Sequence, residues 1–174
     1  MNAFLISCVA ILTTLAAQPV RPGTRHYLSM QTKGTVLLTV SGEVEHPLKL
    51  TASDLGALPR LTVRAKEHSG QEAAFEGVAL IEILRMSGVK FGEAVRGKAL
   101  STYLVVRASD NYQVVFTPPE VDPAFTDRTT LLADKKNGAP LSAAEGPLRI
   151  VVPDEKRQAR WVRNVISISV RHAE

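Results

Sequence analysis

Near its C-terminus the chain reads GPLRIVVP at residues 146–153, and Arg160-Trp161-Val162 opens a second apolar run that reaches Val170. The density of apolar and β-branched residues predicts two strands, at residues 148–152 and 162–170. Between them lies a loop rich in Lys and Arg. The second strand is expected to place four side chains on one face: Val162, Ile166, Ile168 and Val170.

Upstream of this stretch, short apolar alternations predict further strands at residues 36–40, 61–66, 102–108 and 112–116. Thr51 with Asp54, and Thr117 with Glu120, form two capping boxes that open short helices. Asn137-Gly138 is a hairpin turn signal. Strands outnumber helices and do not alternate regularly with them. The sequence therefore predicts an α+β fold, with a strand-rich mixed sheet and short helices.

Composition narrows the function classes. The chain has 174 residues, 22% of them charged, a formal net charge of +4 and 5% aromatic residues, values of an ordinary globular domain. Its one cysteine is Cys8, so disulfide frameworks, cysteine zinc sites and thiol nucleophiles are not expected once an N-terminal signal is removed. No glycine-rich nucleotide loop and no serine-hydrolase elbow occurs. The modest charge and the absence of a nucleic-acid motif argue against nucleic-acid binding.

The N-terminus is typical of an export signal. Residues 4–17 are apolar or small, and this run is shorter than the roughly 20 residues that a membrane-spanning helix needs. We therefore predict a signal peptide at residues 1–17, a leader at 18–33 and a domain at 34–174, with no membrane span after cleavage. The expected location is periplasmic or secreted. A retained anchor, or acylation of Cys8, are the alternatives.

Four segments are informative through their order and spacing rather than singly. They are Gly42-Glu43-Val44 with Pro47-Leu48, Asp54-Leu55 and Leu58-Pro59; Phe75 to Leu80 with Ile83-Leu84 and Gly88; Ala108 to Tyr112 with Leu131-Leu132-Ala133 and Asn137 to Leu141; and Gly146 to Pro153 with Arg160-Trp161-Val162. Together they resemble a known family, the molybdopterin-binding domain of the sulfite oxidase-like oxidoreductases, in its short exported bacterial form. This resemblance implies the family's strand-rich fold.

The resemblance implies a molybdenum ion held by a cysteine thiolate, but the corresponding region, residues 64–68, contains no cysteine. The N-terminus also lacks the Arg-Arg pair of the export route for folded proteins. We therefore expect a chain without cofactor that acts as a binding or accessory module at the cell envelope. Its expected partner is a small anion or an envelope redox or sensory protein. The alternative is an oxidoreductase that retains molybdopterin or another metal cofactor.

The basic loop supplies the candidate binding residues, because the resemblance implies phosphate binding there and Arg is suited to phosphate. Trp161 and Tyr112 are candidate pocket walls, with core packing and sheet packing as the alternative roles. His68 is a lone candidate ligand, and a surface loop residue is the alternative. No catalytic residue and no metal-ligand set is predicted. The alternative for the whole loop is a solvated basic segment. The anion site is predicted from Arg149, Arg157 and Arg160, with contributions from Arg64 and Arg107.

Overall fold

Two five-stranded sheets form the described part of the chain, residues 34–174 of a computed structural model. The predicted signal peptide and leader lie outside the described residues. The strands are β1 Val36–Gly42, β2 Leu48–Thr51, β3 Arg60–Lys66, β4 Glu72–Ala79, β5 Thr102–Ala108, β6 Gln113–Phe116, β7 Leu131–Lys136, β8 Ala139–Pro140, β9 Arg149–Val151 and β10 Val165–His172. The helices are α1 Ala52–Gly56, α2 Leu80–Met86 and α3 Pro118–Val121, with 3-10 turns at Gly92–Ala94, Gly97–Ser101 and Gln158–Arg160.

The first sheet has the strand order β2-β1-β10-β5-β6, in which β1 and β10 run parallel and the other pairs antiparallel. The second sheet has the order β3-β4-β7-β8, and β9 also pairs with β7. With few and short helices, this architecture confirms the α+β class. The strands β9 and β10, predicted from one sequence stretch, belong to different sheets. The basic loop between them therefore passes from one sheet to the other.

Both predicted capping boxes are present. The Asp54 carboxylate accepts a hydrogen bond from the Thr51 amide at 2.8 Å, and the Thr51 hydroxyl accepts one from the Asp54 amide at 3.3 Å. At α3, the Glu120 carboxylate accepts from the Thr117 amide at 2.7 Å. These contacts satisfy amides that the first helical turn leaves without partners.

The core is a single cluster of buried apolar side chains from both sheets. Phe75 on β4 and Trp161 meet edge to face, with ring centroids 5.9 Å apart. The Trp161 indole is buried and donates a hydrogen bond to the Val152 carbonyl at 3.0 Å. Trp161 therefore anchors the end of the basic loop in the core, which was the alternative role for it.

The predicted face of β10 is wrong at one position. Ile166 is 41% exposed, whereas Val165 and Ile168 are fully buried. The pairing of β10 with β5 shifts register between Val165 and Ser167. Such a bulge adds a residue to one strand and interrupts the strict alternation of side chains, so Ile166 turns outward.

Candidate functional site

A cavity of about 880 Å³ opens where the basic loop meets both sheets. One wall comes from the end of β3 and the β3–β4 turn, another from the β5–β6 turn, and the third from the segment that joins β9 to β10. The lining residues used below are Lys66, Glu67, His68, Tyr112, Arg149, Glu155, Lys156, Arg157, Trp161 and Arg163. Of the eight predicted site residues, five line this cavity: His68, Tyr112, Arg149, Arg157 and Trp161.

Four cationic side chains of the lining are exposed, and each lies beyond 4.0 Å of any carboxylate in residues 34–174. They are Lys66, Lys156, Arg157 and Arg163. Asp110, an exposed carboxylate of the same lining that makes no ion pair in the described residues, offsets one of these four charges. The mouth of the cavity therefore keeps an excess of positive charge and is suited to an anion. We call these four side chains the basic rim.

Arg149 forms the floor of the cavity but is not part of the rim. It is 2% exposed, and its guanidinium donates to Glu145 and, at 3.2 Å, to Glu67. Lys136 pairs with the same two carboxylates: its Nζ lies 2.9 Å from Glu145 Oε2 and 3.3 Å from Glu67 Oε1. This network, in which Arg149 is buried and Lys136 and Glu67 are partly exposed, balances two cations against two anions. The charge of Arg149 is therefore already neutralised inside the fold.

Two aromatic rings hold the Arg149 guanidinium in place. Its central carbon lies 5.3 Å from the ring centroid of Phe75 and 5.3 Å from that of Trp161. Such cation–π contacts are strongest where water is excluded, as it is here. The Nε atom of Arg149 is buried and has no hydrogen-bond partner within residues 34–174. It is a donor at the cavity floor that the described part of the protein leaves unsatisfied.

The partners of Glu145 in this network change the pKa of its carboxyl group. Burial favours its neutral form, but the hydrogen bond from Lys136 and the charge of Arg149 outweigh burial, so the pKa of Glu145 is lowered. The hydrogen bond to Glu145 in turn raises the pKa of Lys136 against the opposing effect of burial. Both groups are therefore held in their charged forms near neutral pH.

The structure places the remaining three predicted arginines outside the cavity lining. Arg64 is exposed on β3, and its Nη1 lies 3.5 Å from Glu72 Oε1. Arg107 is exposed at the end of β5 and donates to Asn111. Arg160 pairs with Glu120 and Glu155 and lines a separate, smaller cavity. Of the five arginines from which the anion site was predicted, only Arg149 and Arg157 thus line the cavity.

Three members of the basic rim were missing from the predicted site, namely Lys66, Lys156 and Arg163. Lys156 and Arg163 were visible in the sequence as part of the basic loop, whereas Lys66 adjoins the site only because β3 ends beside that loop. The sequence prediction favoured Arg because its guanidinium can bind a phosphate through two hydrogen bonds at once. A rim exposed to water accepts Lys equally well, because a point charge suffices there.

Residues 34–174 contain no group of three or more His, Cys, Asp and Glu side chains arranged to hold a metal ion. His68 lies in the lining without such partners. Cys8, the one cysteine of the sequence, is outside the described residues, so the described cavity offers no thiolate. Over the same residues, no helix has the length and apolar character needed to span a bilayer.

Comparison with known proteins gives the family. The model of the oxidoreductase molybdopterin binding domain matches residues 27–174, which is most of the chain. This chain belongs to that family. The resemblance inferred from the four sequence segments is therefore confirmed.

Two relatives support the same assignment. The protein named "uncharacterized oxidoreductase YuiH" of Bacillus subtilis (strain 168) is 30% identical over 136 residues, which cover 74% of this chain and 63% of that protein. The crystal structure of the sulfane dehydrogenase SoxCD from Paracoccus pantotrophus matches with a TM-score of 0.59 and 25% identity, over 76% of this chain and 37% of that chain. The chain thus spans less than two thirds of the length of either relative.

Membership in a molybdopterin-binding family corrects one prediction. The expectation of a chain without cofactor is wrong, because the family model that matches residues 27–174 is that of a molybdopterin binding domain. The expectation relied on a missing thiol and a missing Arg-Arg pair. Neither feature outweighs the match to the family model.

The described residues fit one part of this cofactor. The basic rim and the unsatisfied Nε of Arg149 suit the phosphate and the polar edge of a pterin. The cavity lining contains neither Cys nor Met and so offers the metal no sulfur ligand. Any cofactor bound here would be held through its organic, anionic part.

Proposed function

We propose that the chain is the molybdopterin-binding domain of an oxidoreductase and holds the cofactor in the 880 Å³ cavity. The observation that carries this proposal is the basic rim, whose four cations have no carboxylate partner in the described residues. A phosphate monoester carries close to two negative charges at neutral pH. Lys156 and Arg157, adjacent on the loop, would hold that phosphate, and Lys66 and Arg163 would complete the electropositive rim.

The remaining lining residues would orient the organic part of the cofactor. Trp161 is fixed by its hydrogen bond to Val152 and offers a rigid aromatic wall. Tyr112 is fixed on the facing turn by a hydrogen bond from its hydroxyl to the Ala159 carbonyl at 2.7 Å. When bound, the cofactor supplies a redox-active metal. The residues of this chain supply charge, shape and partial exclusion of water.

The test is the cofactor content of the full-length protein, purified from a host that makes molybdopterin. We expect pterin fluorescence after acid release and oxidation, in near-equal amount to protein, together with molybdenum or tungsten by elemental analysis. The variant Lys156→Gln/Arg157→Gln should lose most of this pterin. The matched variant Arg64→Gln/Arg107→Gln removes the same charge outside the cavity and should retain it. Equal pterin content in both variants, or none in the wild type, would overturn the proposal.

A second candidate is a site for a small inorganic anion, which the same unpaired rim favours. Inorganic phosphate or sulfate would then stabilise the fold at millimolar concentration, and at 100 times its Kd a ligand adds about 2.7 kcal/mol to the free energy of unfolding. Chloride at equal ionic strength is the control for general salt effects. A protein that is stabilised by phosphate but purifies without pterin would favour this candidate.

We also propose that the domain acts outside the cytoplasm, where an envelope redox or sensory protein would be its partner. The support is the apolar run at residues 4–17 followed by a polar segment. Intact-mass measurement on envelope fractions should find a chain that begins near Gln18. A retained Met1 or a lipid on Cys8 would contradict this cleavage. Pterin is measured on each fraction separately, so that location and cofactor binding are tested independently.

A further inference from the structure

Three of the four cations in the basic rim, Lys156, Arg157 and Arg163, lie on the segment between β9 and β10. All three side chains are exposed and make no ion pair within residues 34–174. Nothing in their own contacts fixes where their charges lie. Their arrangement around the cavity therefore depends on how the backbone of this segment is held.

Arg160 is the basic side chain of this segment that forms ion pairs within residues 34–174. Its Nε donates to Glu155 Oε1 at 2.7 Å, and its Nη1 donates to Glu120 Oε1 at 2.6 Å. The guanidinium carbon lies 4.7 Å from the ring centroid of Phe116 on β6. One side chain thus joins the start of the loop, helix α3 and the first sheet.

The carboxylate of Glu120 that pairs with Arg160 is itself held in place by Thr117. Its second carboxylate oxygen accepts hydrogen bonds from the amide and hydroxyl of Thr117, which closes the capping box of α3. Burial raises the pKa of Glu120, but the hydrogen bonds from Arg160 and Thr117 outweigh it and the pKa is lowered. The carboxylate therefore remains ionised and available to Arg160 at neutral pH.

Arg160 faces away from the basic cavity. Its neighbours Ala159 and Trp161 line the 880 Å³ cavity, whereas Arg160 lines a second cavity of about 400 Å³ together with Phe116 and Glu120. The 3-10 turn Gln158–Arg160 is thus the wall between the two cavities. An anion in the basic cavity would meet the backbone of this turn and not the guanidinium of Arg160.

We propose that Arg160 is a positioning residue for anion binding: through Glu120 and Glu155 it holds the loop so that Lys156 and Arg157 face the basic cavity, without touching the anion itself. The proposal rests on the proposed function, since it presumes that the cavity binds a phosphate group. It makes Arg160 act through its carboxylate partners. If Arg160 acts by positioning, removal of a carboxylate partner should weaken phosphate binding. If Arg160 contacted the phosphate directly, the same removal should strengthen it.

The experiment titrates full-length protein, purified from a host that makes no molybdopterin so that the cavity is free, with inorganic phosphate. Binding is followed by the fluorescence of Trp161, the only tryptophan of the chain and part of the cavity wall. Arg160→Gln is expected to weaken phosphate binding by about tenfold or more, the scale of a lost charge-assisted contact. Arg60→Gln is the matched control. Arg60 is also 31% exposed and pairs with a carboxylate, Asp134, but lies at the far end of β3 from Lys66. It should lower Tm similarly and leave phosphate affinity unchanged.

Glu120→Ala separates positioning from direct contact. If Arg160 bound the anion by its charge, removal of its carboxylate partner would free that charge and strengthen phosphate binding. Positioning predicts weaker binding, by about threefold or more. Thr117→Val keeps the pair between Glu120 and Arg160 and removes only the capping hydroxyl, so it should bind phosphate like the wild type. If Arg160→Gln does not fold, Glu120→Ala carries the test.

The outcomes are distinct. Wild-type protein that binds phosphate, with equal affinity in Arg160→Gln or stronger affinity in Glu120→Ala, overturns the positioning role and leaves the proposed cavity intact. Wild-type protein that does not bind phosphate overturns the proposed cavity and the positioning role with it. Weaker binding in both variants, with unchanged binding in Arg60→Gln and Thr117→Val, supports the role.

Discussion

The hydroxyl of Tyr112 donates a hydrogen bond to the carbonyl oxygen of Ala159 at 2.7 Å, across 47 residues of sequence. Tyr112 follows the β5–β6 turn, and Ala159 lies in the 3-10 turn that walls the basic cavity. On the other side, the side-chain amide of Gln158 donates through Nε2 to the Lys66 carbonyl at the end of β3. These two contacts tie the same short turn to both sheets.

We expect Tyr112→Phe to lower the free energy of unfolding by about 0.5–1 kcal/mol, the usual net value of one hydrogen bond. The loss is at the small end because Tyr112 is 48% exposed, so water can replace the hydroxyl at the Ala159 carbonyl. Urea unfolding followed by circular dichroism gives the measurement. A loss above about 2 kcal/mol would mean that the ring, and not only the hydroxyl, loses its packing.

Local signals in the sequence were sufficient for much of the fold. Both capping boxes depend on residues three positions apart, so Thr51 with Asp54 and Thr117 with Glu120 could be recognised without knowing any distant contact. The turn at Asn137-Gly138 has positive φ at both residues, as its sequence indicates. Strands β4 and β7 were not assigned in advance. At one end of each of these strands, three consecutive residues are buried. In a sequence, such a continuous apolar run is as typical of a buried helix as of a buried strand.

The site was less accessible to sequence reasoning, because its charges are paired over long distances. Arg149 meets Glu67 across 82 residues, and Arg160 meets Glu120 across 40. A basic residue in a loop looks the same in sequence whether its charge is free or neutralised. Only the fold shows that Arg149 and Arg160 are neutralised while Lys156 and Arg157 are not.

Gly77 tests the close approach of β4 to β7. A Cβ atom at this position would lie 2.0 Å from the Leu132 carbonyl oxygen and 2.6 Å from the Ala133 Cα, which are backbone atoms that cannot move aside easily. We expect Gly77→Ala to cost about 3 kcal/mol of stability or more. Gly56→Ala in α1 is the control, since its Cβ meets nothing within 4 Å. That variant should be neutral or slightly stabilising. Equal stability of the two variants would contradict the strand spacing.

The pH dependence of stability follows from two carboxylates. The pKa values of Glu120 and Glu145 are lowered on folding, so each stabilises the fold fully above its unfolded pKa, and this contribution is lost as the pH falls through the folded value. Stability should therefore decline below about pH 4.3. The pKa of Lys136 is raised, so its contribution is present below the unfolded value of about 10.4 and is lost as the pH rises through the folded one.

Urea unfolding at several pH values between about 3 and 6 checks the acid limb. The double variant Glu120→Gln/Glu145→Gln lacks both titrating groups and should show a shallower decline than the wild type over this range. Glu72→Gln, on an exposed ion pair with Arg64, is the control and should follow the wild-type slope. An unchanged slope in the double variant would show that other carboxylates govern acid unfolding.

The network at the cavity floor predicts strong coupling between Arg149 and Glu145. Arg149→Met keeps an unbranched chain between the rings of Phe75 and Trp161 but leaves Glu145 with Lys136 and the Ser142 hydroxyl as its remaining partners. Breaking a buried pair from one side costs about 3–5 kcal/mol when the other charge is left alone. Because Lys136 still neutralises Glu145, we expect a loss at or below the lower end of this range.

The double variant Arg149→Met/Glu145→Gln removes both charges, so its loss of stability should be smaller than the sum of the two single losses, by about 1–3 kcal/mol. The same cycle on Arg64 and Glu72, whose side chains are 79% and 52% exposed, should give a coupling below about 0.5 kcal/mol. Urea unfolding followed by Trp161 fluorescence measures the first cycle, because that ring lies against the Arg149 guanidinium. Additive losses for Arg149 and Glu145 would mean that the two charges are separately solvated, and the electroneutral floor assigned to the cavity would then be wrong.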